Sequence, residues 1–141
     1  MNQTQRPRRI LRSIGAVFAG FLMVVVLSLG TDMALRASSV FPPWSEPMSD
    51  ELFLLATVYR TVYTVLGSYV TARLAPHAPM KHALAGGVVG LVLSTVGAVT
   101  TWDRGSEFGP HWYPLALVAT AMPCAWAGGR LRTLQLRDDQ R

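Results

Sequence analysis

One permanently charged side chain, Arg60, interrupts the mostly apolar stretch 52–72. At about 1.5 Å per residue this stretch spans about 31 Å, close to the ~30 Å hydrocarbon core of a bilayer. Lipid cannot solvate a guanidinium, so Arg60 needs a partner. It could form a buried ion pair with Asp32, extend to water, or bind an anionic ligand. The ion pair is the preferred hypothesis because Asp32 is expected at a similar depth.

Hydroxyl side chains accompany Arg60 on one face of the same segment. A helix turns about 100° per residue, which places these residues in one wedge: Thr57, Thr61, Thr64, Ser68 and Thr71. The opposite face carries Leu55, Tyr59, Val62, Leu66 and Val70. The polar face is therefore predicted to point to other helices or to a water-filled cleft.

Other residues that could do chemistry give weaker patterns. Asp103, Glu107 and His111 have the spacing of metal ligands on one helix, but Gly105 interrupts such a helix, so they are predicted to be solvated loop residues. Cys124 is the one cysteine, which excludes an internal disulfide and a CxxC redox centre. Phosphate-binding, GxSxG and HExxH motifs are absent from the sequence. We therefore expect no catalytic residue, no metal, no cofactor and no enzyme activity.

The composition is that of a membrane protein. Half of the 141 residues are hydrophobic and 15% are charged, against about 25% in a typical soluble domain. Four segments, 14–31, 52–72, 83–102 and 112–129, each fit one crossing. The predicted fold is an all-α integral membrane four-helix bundle. Its transmembrane domain would cover residues 10–131, between a disordered tail at 1–9 and a second tail at 132–141.

A secretory signal is an alternative interpretation of the first segment. Basic residues precede an apolar run, and Ala37 and Ser39 could form a cleavage site. The run 14–30 exceeds the usual ~7–15 residues, and Asp32 intervenes before that site. A retained helix is therefore preferred.

The formal charge of +5 is unevenly distributed along the chain. Ten of the 13 basic residues lie before the first segment, between the second and third, or after the fourth: Arg6, Arg8, Arg9, Arg12, Arg73, Lys81, Arg130, Arg132, Arg137 and Arg141. By the positive-inside rule both termini are cytoplasmic. The expected partner is the lipid bilayer and not nucleic acid.

The third segment carries a stripe of small residues that includes Gly86, Gly90, Ser94 and Gly97. Small residues let helix backbones approach closely, so the stripe is predicted to pack against another helix. The helix could belong to the same chain or to a second copy in a homo-oligomer.

Several short stretches resemble a family of small four-helix inner-membrane proteins of bacteria. The resemblance covers nearly the whole chain and rests on Leu27-Ser28-Leu29-Gly30-Thr31-Asp32, Tyr59-Arg60-Thr61-Val62-Tyr63, Ala72-Arg73-Leu74-Ala75-Pro76, His111-Trp112-Tyr113-Pro114 and Pro123-Cys124-Ala125-Trp126. It implies a bacterial inner-membrane location. That family has no established activity, so the resemblance assigns no functional residue.

Three functional hypotheses follow. The first is a structural or accessory membrane protein that acts through helix contacts with itself or with a partner. The second is a small oligomeric transporter or channel that uses Arg60 and the hydroxyl face. The third is a membrane enzyme, for which the sequence offers no catalytic group. A pocket open to water at Arg60 would favour transport, whereas a closed pair with Asp32 would favour the structural role.

The topology can be tested by labelling single cysteines in a Cys124→Ala background. Cysteines at Ser45 and Ser106 should react with an impermeant thiol reagent added outside the cell, because both lie in connections poor in basic residues. Cysteines at Gln3 and Gln140 should be protected. Labelling of Gln3 or Gln140 in place of the other two would contradict the prediction.

Overall fold

Four α-helices account for most of the structure. The computed structural model describes residues 5–105 and 108–141, with side chains from residue 8 onward. The helices are α1 (Gln5–Ala37), α2 (Asp50–Leu74), α3 (Pro79–Thr101) and α4 (Trp112–Asp138). The described residues contain no β-strand. The prediction of an all-α chain with four helices is therefore confirmed.

Local sequence explains where the second and third helices begin. α2 starts at Asp50 and Glu51, whose negative charges suit the N-terminal end of a helix dipole. α3 starts at Pro79, which has no backbone N–H to leave unsatisfied. The short turn between them places Ala78 in the left-handed region, at φ 43°.

Both end helices are longer than the apolar segments. Residues 1–4 of the predicted N-terminal tail lie outside the described residues, but residues 5–9 are already helical. α4 continues through Pro123 to Asp138 and so includes most of the predicted C-terminal tail. The extension of α4 is held by a tertiary contact, because the Tyr69 hydroxyl of α2 donates to Gln135 Oε1 at 2.7 Å.

The helices pack in the order α1, α2, α4, α3. α1 packs mainly on α2, α2 on α4 and α4 on α3, while α1 and α3 touch much less. α1 and α2 are antiparallel, because Asp32 lies beside Arg60 and Gly20 lies beside Thr71. α4 runs parallel to α2, because Tyr113 lies beside Arg60 and Gly128 lies beside Tyr69. The start of α1, the end of α4 and the turn 75–78 therefore lie at one end of the bundle, here called the terminal end. The two longer connections lie at the other end, here called the loop end.

Small residues form the core of the bundle. The buried apolar residues are mostly Ala16, Ala56, Ala72, Ala83, Ala98, Ala121, Cys124 and Ala125, joined by Phe41 and Phe53. Close backbone contact replaces side-chain filling near the terminal end. Gly20 faces Gly67 across α1 and α2, and Gly128 faces the backbone of Val65 and Tyr69 across α4 and α2.

Two of the described helices are long and apolar enough to cross a membrane, by length and composition. They are Arg8–Ala37 within α1 and Pro79–Thr101, which is α3. α2 is less apolar because it carries Arg60 and several hydroxyl groups, and α4 because it carries proline, tryptophan and glycine. Of the four crossings expected from the sequence, two are therefore supported by this criterion.

The glycine contacts predict which helix positions resist a larger side chain. A Cβ at Gly128 would lie 2.5 Å from the Val65 carbonyl oxygen and 2.6 Å from the Tyr69 nitrogen. Gly128→Ala should lower the free energy of unfolding by about 1–3 kcal/mol, because rigid backbone has to move. The matched change Gly30→Ala meets no described atom within 4 Å and should be neutral or stabilising. Thermal unfolding in detergent measures both, and equal effects would contradict close packing at Gly128.

Candidate functional site at Arg60

Arg60 joins three helices near the loop end of the bundle. Its Nη2 donates to Asp32 Oδ2 of α1 at 2.6 Å, and its Nη1 donates to the Tyr113 hydroxyl of α4 at 2.5 Å. The neighbouring Tyr59 donates its hydroxyl proton to Asp32 Oδ1. We call these four residues the Arg60 cluster. Both oxygens of the Asp32 carboxylate are bonded, which compensates for the burial of a residue that is only 6% exposed.

The connection before α4 positions Tyr113. The Tyr113 ring packs on Phe53 with centroids 5.0 Å apart. Gly109 has a φ of +91° and also lies against the Phe53 ring. A Cβ at this position would come within 2.5 Å of that ring. Glycine is therefore required at position 109 both by conformation and by space.

A further hydrogen bond ties α1 to α2 one residue before Asp32. The hydroxyls of Thr31 and Tyr63 lie 2.8 Å apart. Together with the ion pair, this bond aligns the two helices at the loop end. Among the described residues, Arg60 Nε is buried without a hydrogen-bond partner, so the guanidinium uses only its two terminal nitrogens.

A cavity of 370 Å³ lies beside the Arg60 cluster and extends towards the terminal end. We call it the crevice. All four helices contribute to it, and its polar or small lining residues are Gly20, Ser28, Arg60, Thr61, Thr64, Gly67, Ser68, Thr71, Gly86, Gly87, Gly90, Ser94, Thr120 and Ala121. The rest of its lining is apolar, from Val17, Phe21, Val24, Val25, Leu29, Val89, Leu93 and Leu117.

The structure brings most of the predicted polar face to the crevice. Thr61, Thr64, Ser68 and Thr71 line it with Arg60. Thr57 does not, and its hydroxyl donates to the Phe53 carbonyl at 2.9 Å.

Sequence reasoning missed the two tyrosines of the Arg60 cluster. Tyr59 was assigned to the apolar face of its helix, yet its long side chain reaches Asp32. Tyr113 was named only within the stretch 111–114 and was given no role. The available signal was a pair of phenol groups, one next to Arg60 in sequence and one in the first turn of a helix that starts at the same end of the bundle.

Part of the small-residue stripe of α3 has no packing partner among the described residues. A Cβ built at Gly86 would be in ordinary contact with Thr71 and Val17, but no described atom lies within 4 Å of a Cβ built at Gly90 or Gly97. Packing against another helix of the same chain is therefore not found at these two positions, and packing against a second copy stays a prediction. The close contact of α3 with α4 is made at the neighbouring Gly87, where a Cβ would meet Ala125 and Met122. Gly90 and Ser94 line the crevice instead, and Gly97 is exposed.

The weaker candidates remain apart from this site. His111 stacks on Trp102 with centroids 4.4 Å apart, at the loop end, and Glu107 lies outside the described residues. Among residues 5–105 and 108–141, no three His, Cys, Asp or Glu side chains form a group that could hold a metal. Cys124 is a free, buried thiol in α4.

Comparison of the chain with models of known protein families, with curated proteins and with solved structures finds no match. The argument for function therefore depends on the Arg60 cluster and the crevice.

A double-mutant cycle tests the ion pair. Asp32→Leu and Arg60→Met should each lower the free energy of unfolding by about 3–5 kcal/mol, because each leaves a buried charge uncompensated. The double variant should recover much of that loss. Thermal or denaturant unfolding in detergent measures the cycle, with Arg73→Met, an exposed arginine of the same helix, as the control. Simple additivity of the two changes would remove Asp32 as the energetic partner of Arg60.

Proposed function

We propose that the chain is an integral membrane four-helix bundle of the bacterial inner membrane, with both termini cytoplasmic. Its proposed role is structural or accessory, through helix contacts with itself or with a partner membrane protein. The observation that carries the proposal is the placement of side chains by size: small residues lie inside the bundle and large apolar residues lie outside.

The outward apolar surface covers every helix. Exposed large apolar residues include Leu11, Phe18 and Leu22 of α1, Leu54, Val58 and Val62 of α2, Val88, Val92 and Val96 of α3, and Leu115 and Trp126 of α4. Soluble monomers rarely expose large contiguous apolar patches. Membrane helices, in contrast, associate through small residues and present large apolar ones to lipid. The surface therefore supports four crossings, including those of the less apolar helices α2 and α4.

Several polar groups of α2, although not the Nε of Arg60, have partners within the bundle, which is compatible with a crossing. The charge of Arg60 is balanced by Asp32 at 2.6 Å. Thr61 and Thr64 donate to carbonyls one turn earlier in their own helix, each at 2.7 Å. A helix with compensated polar groups on its inner face loses little by entering a bilayer.

The closed state of the Arg60 cluster supports a structural role over binding of an anion. Both terminal nitrogens of the guanidinium are already bonded to Asp32 and Tyr113. These bonds link α1, α2 and α4. A cluster of this kind holds helices in register and leaves no free positive charge for a ligand.

The membrane location can be tested by alkaline carbonate extraction of membranes from expressing cells. The chain should remain in the membrane pellet, because four apolar helices resist extraction that removes peripheral proteins. A known peripheral protein in the same sample serves as the control. Release of the chain with that control would contradict the proposal.

The accessory role can be tested by cross-linking in native membranes. Single cysteines at Phe18, Val62, Val92 and Trp126 each place a thiol on the outward face of a different helix, in a Cys124→Ala background. One face should give a discrete oxidised product, either a homodimer or an adduct with one partner. The absence of a product from all four faces would contradict a role through helix contacts.

A small oligomeric transporter is the second candidate, and the crevice is the observation that favours it. It ranks second because Arg60, its expected binding group, is already paired. Proteoliposomes loaded with chloride or phosphate give the test. Efflux that Thr64→Leu abolishes would favour transport, and efflux no faster than from protein-free liposomes would exclude it for these ions.

A further inference from the structure

The crevice opens sideways, between α1 and α3. At the terminal end the two helices are joined by His82 Nε2 and Ser13 Oγ, 2.9 Å apart. Next to this bond, at Gly86, Val17 lies 3.9 Å from a Cβ position. One turn further, at Gly90, the described residues leave open space. The boundary between α1 and α3, here called the seam, is thus closed at the terminal end and open in the direction of the loop end.

Large apolar side chains form both edges of this opening. Phe21 and Leu29 of α1 are 41% and 50% exposed, and Val89 and Leu93 of α3 are 43% and 47% exposed. All four also line the crevice. An opening with apolar edges on the side of a bundle faces lipid when the bundle crosses a membrane.

The volume of the crevice is suited to a small or slender molecule. Its 370 Å³ lies within the range of about 300–1,000 Å³ that is usual for small-molecule pockets.

The chemistry of the lining favours an apolar occupant. Arg60 is neutralised by Asp32, so the crevice offers no counter-charge to a charged solute. The hydroxyl protons of Thr61, Thr64 and Thr120 are donated to carbonyls of their own helices. The large side chains of the lining other than Arg60 are valine, leucine and phenylalanine, which attract a hydrocarbon chain by dispersion forces.

We infer that the crevice holds one acyl chain of a membrane lipid, which enters between α1 and α3. The inference rests on the proposed membrane location and names the ligand class of the crevice. The cavity volume, the sideways opening and the lack of free charge together favour a slender apolar chain over an ion.

The test uses vesicles of phosphatidylcholine that contain a trace of phosphatidylcholine with a diazirine in the middle of one acyl chain. After irradiation, peptide mass spectrometry locates the adducts. Val24, inside the crevice, and Leu93, at its edge, should carry at least as much label as the outward residues Phe18 and Val92. Gly90→Leu fills the crevice and should reduce label at Val24 at least fivefold.

The matched control is Gly97→Leu. Gly97 lies on the same helix, also in open space, but it does not line the crevice, so this change should leave label at Val24 unchanged. Ser94→Leu, a second change in the lining, should repeat the effect of Gly90→Leu. Label at Phe18 and Val92 should stay constant in all variants, which shows that each is inserted.

Two results would overturn the inference, and they differ from failure of the membrane location. Label at Val24 below one fifth of that at Phe18 in the unaltered chain would show that no acyl chain enters. Label at Val24 that survives both Gly90→Leu and Ser94→Leu would place the acyl chain outside the crevice. If the chain does not cross the membrane, Phe18 and Val92 also remain unlabelled, and the inference fails together with the proposed location.

Discussion

The guanidinium of Arg60 cannot remain uncompensated in apolar surroundings, and the arrangement of three helices follows from its compensation. Asp32 supplies the opposite charge from α1, and Tyr113 supplies an acceptor from α4. Each bond requires its helix to lie beside α2 at a defined height. α3 has no part in the cluster and is held by α4 instead. The weak contact between α1 and α3, and therefore the crevice, is a consequence of which helices Arg60 engages.

The two ends of the bundle are held together by different forces. Near the terminal end, Gly20, Gly67 and Gly128 let backbones meet, and many small dispersion contacts accumulate. Near the loop end, the polar side chains of the Arg60 cluster and the Thr31–Tyr63 pair join the helices. The crevice extends between these two regions, from Val17 and Gly86 to Leu29 and Arg60.

Sequence reasoning could predict the helices and the depth of charged groups, but not which neighbours meet. The length and apolar character of the segments gave four helices, and a similar distance from one end suggested Asp32 for Arg60. The small-residue stripe of α3 is an example of a contact that the sequence could not place. Gly86 and Gly87 differ by about 100° around the helix axis, and only the positions of the other helices decide that Gly87 is the contact. Tyr59 and Tyr113 were missed because their reach depends on side-chain length and on helix spacing, which periodicity does not contain.

The unequal hydropathy of the helices has a physical reason once the packing order is known. α2 and α4 are the central pair, since each packs closely on two neighbours. Their inner faces meet protein, where hydroxyl groups and even a paired arginine are tolerated. α1 and α3 stand at the two ends of this order and border the seam, and these are the helices apolar enough to cross a membrane by composition. In the proposed membrane location both helices border the sideways opening of the crevice, which leaves them fewer inward faces for polar side chains than α2 has.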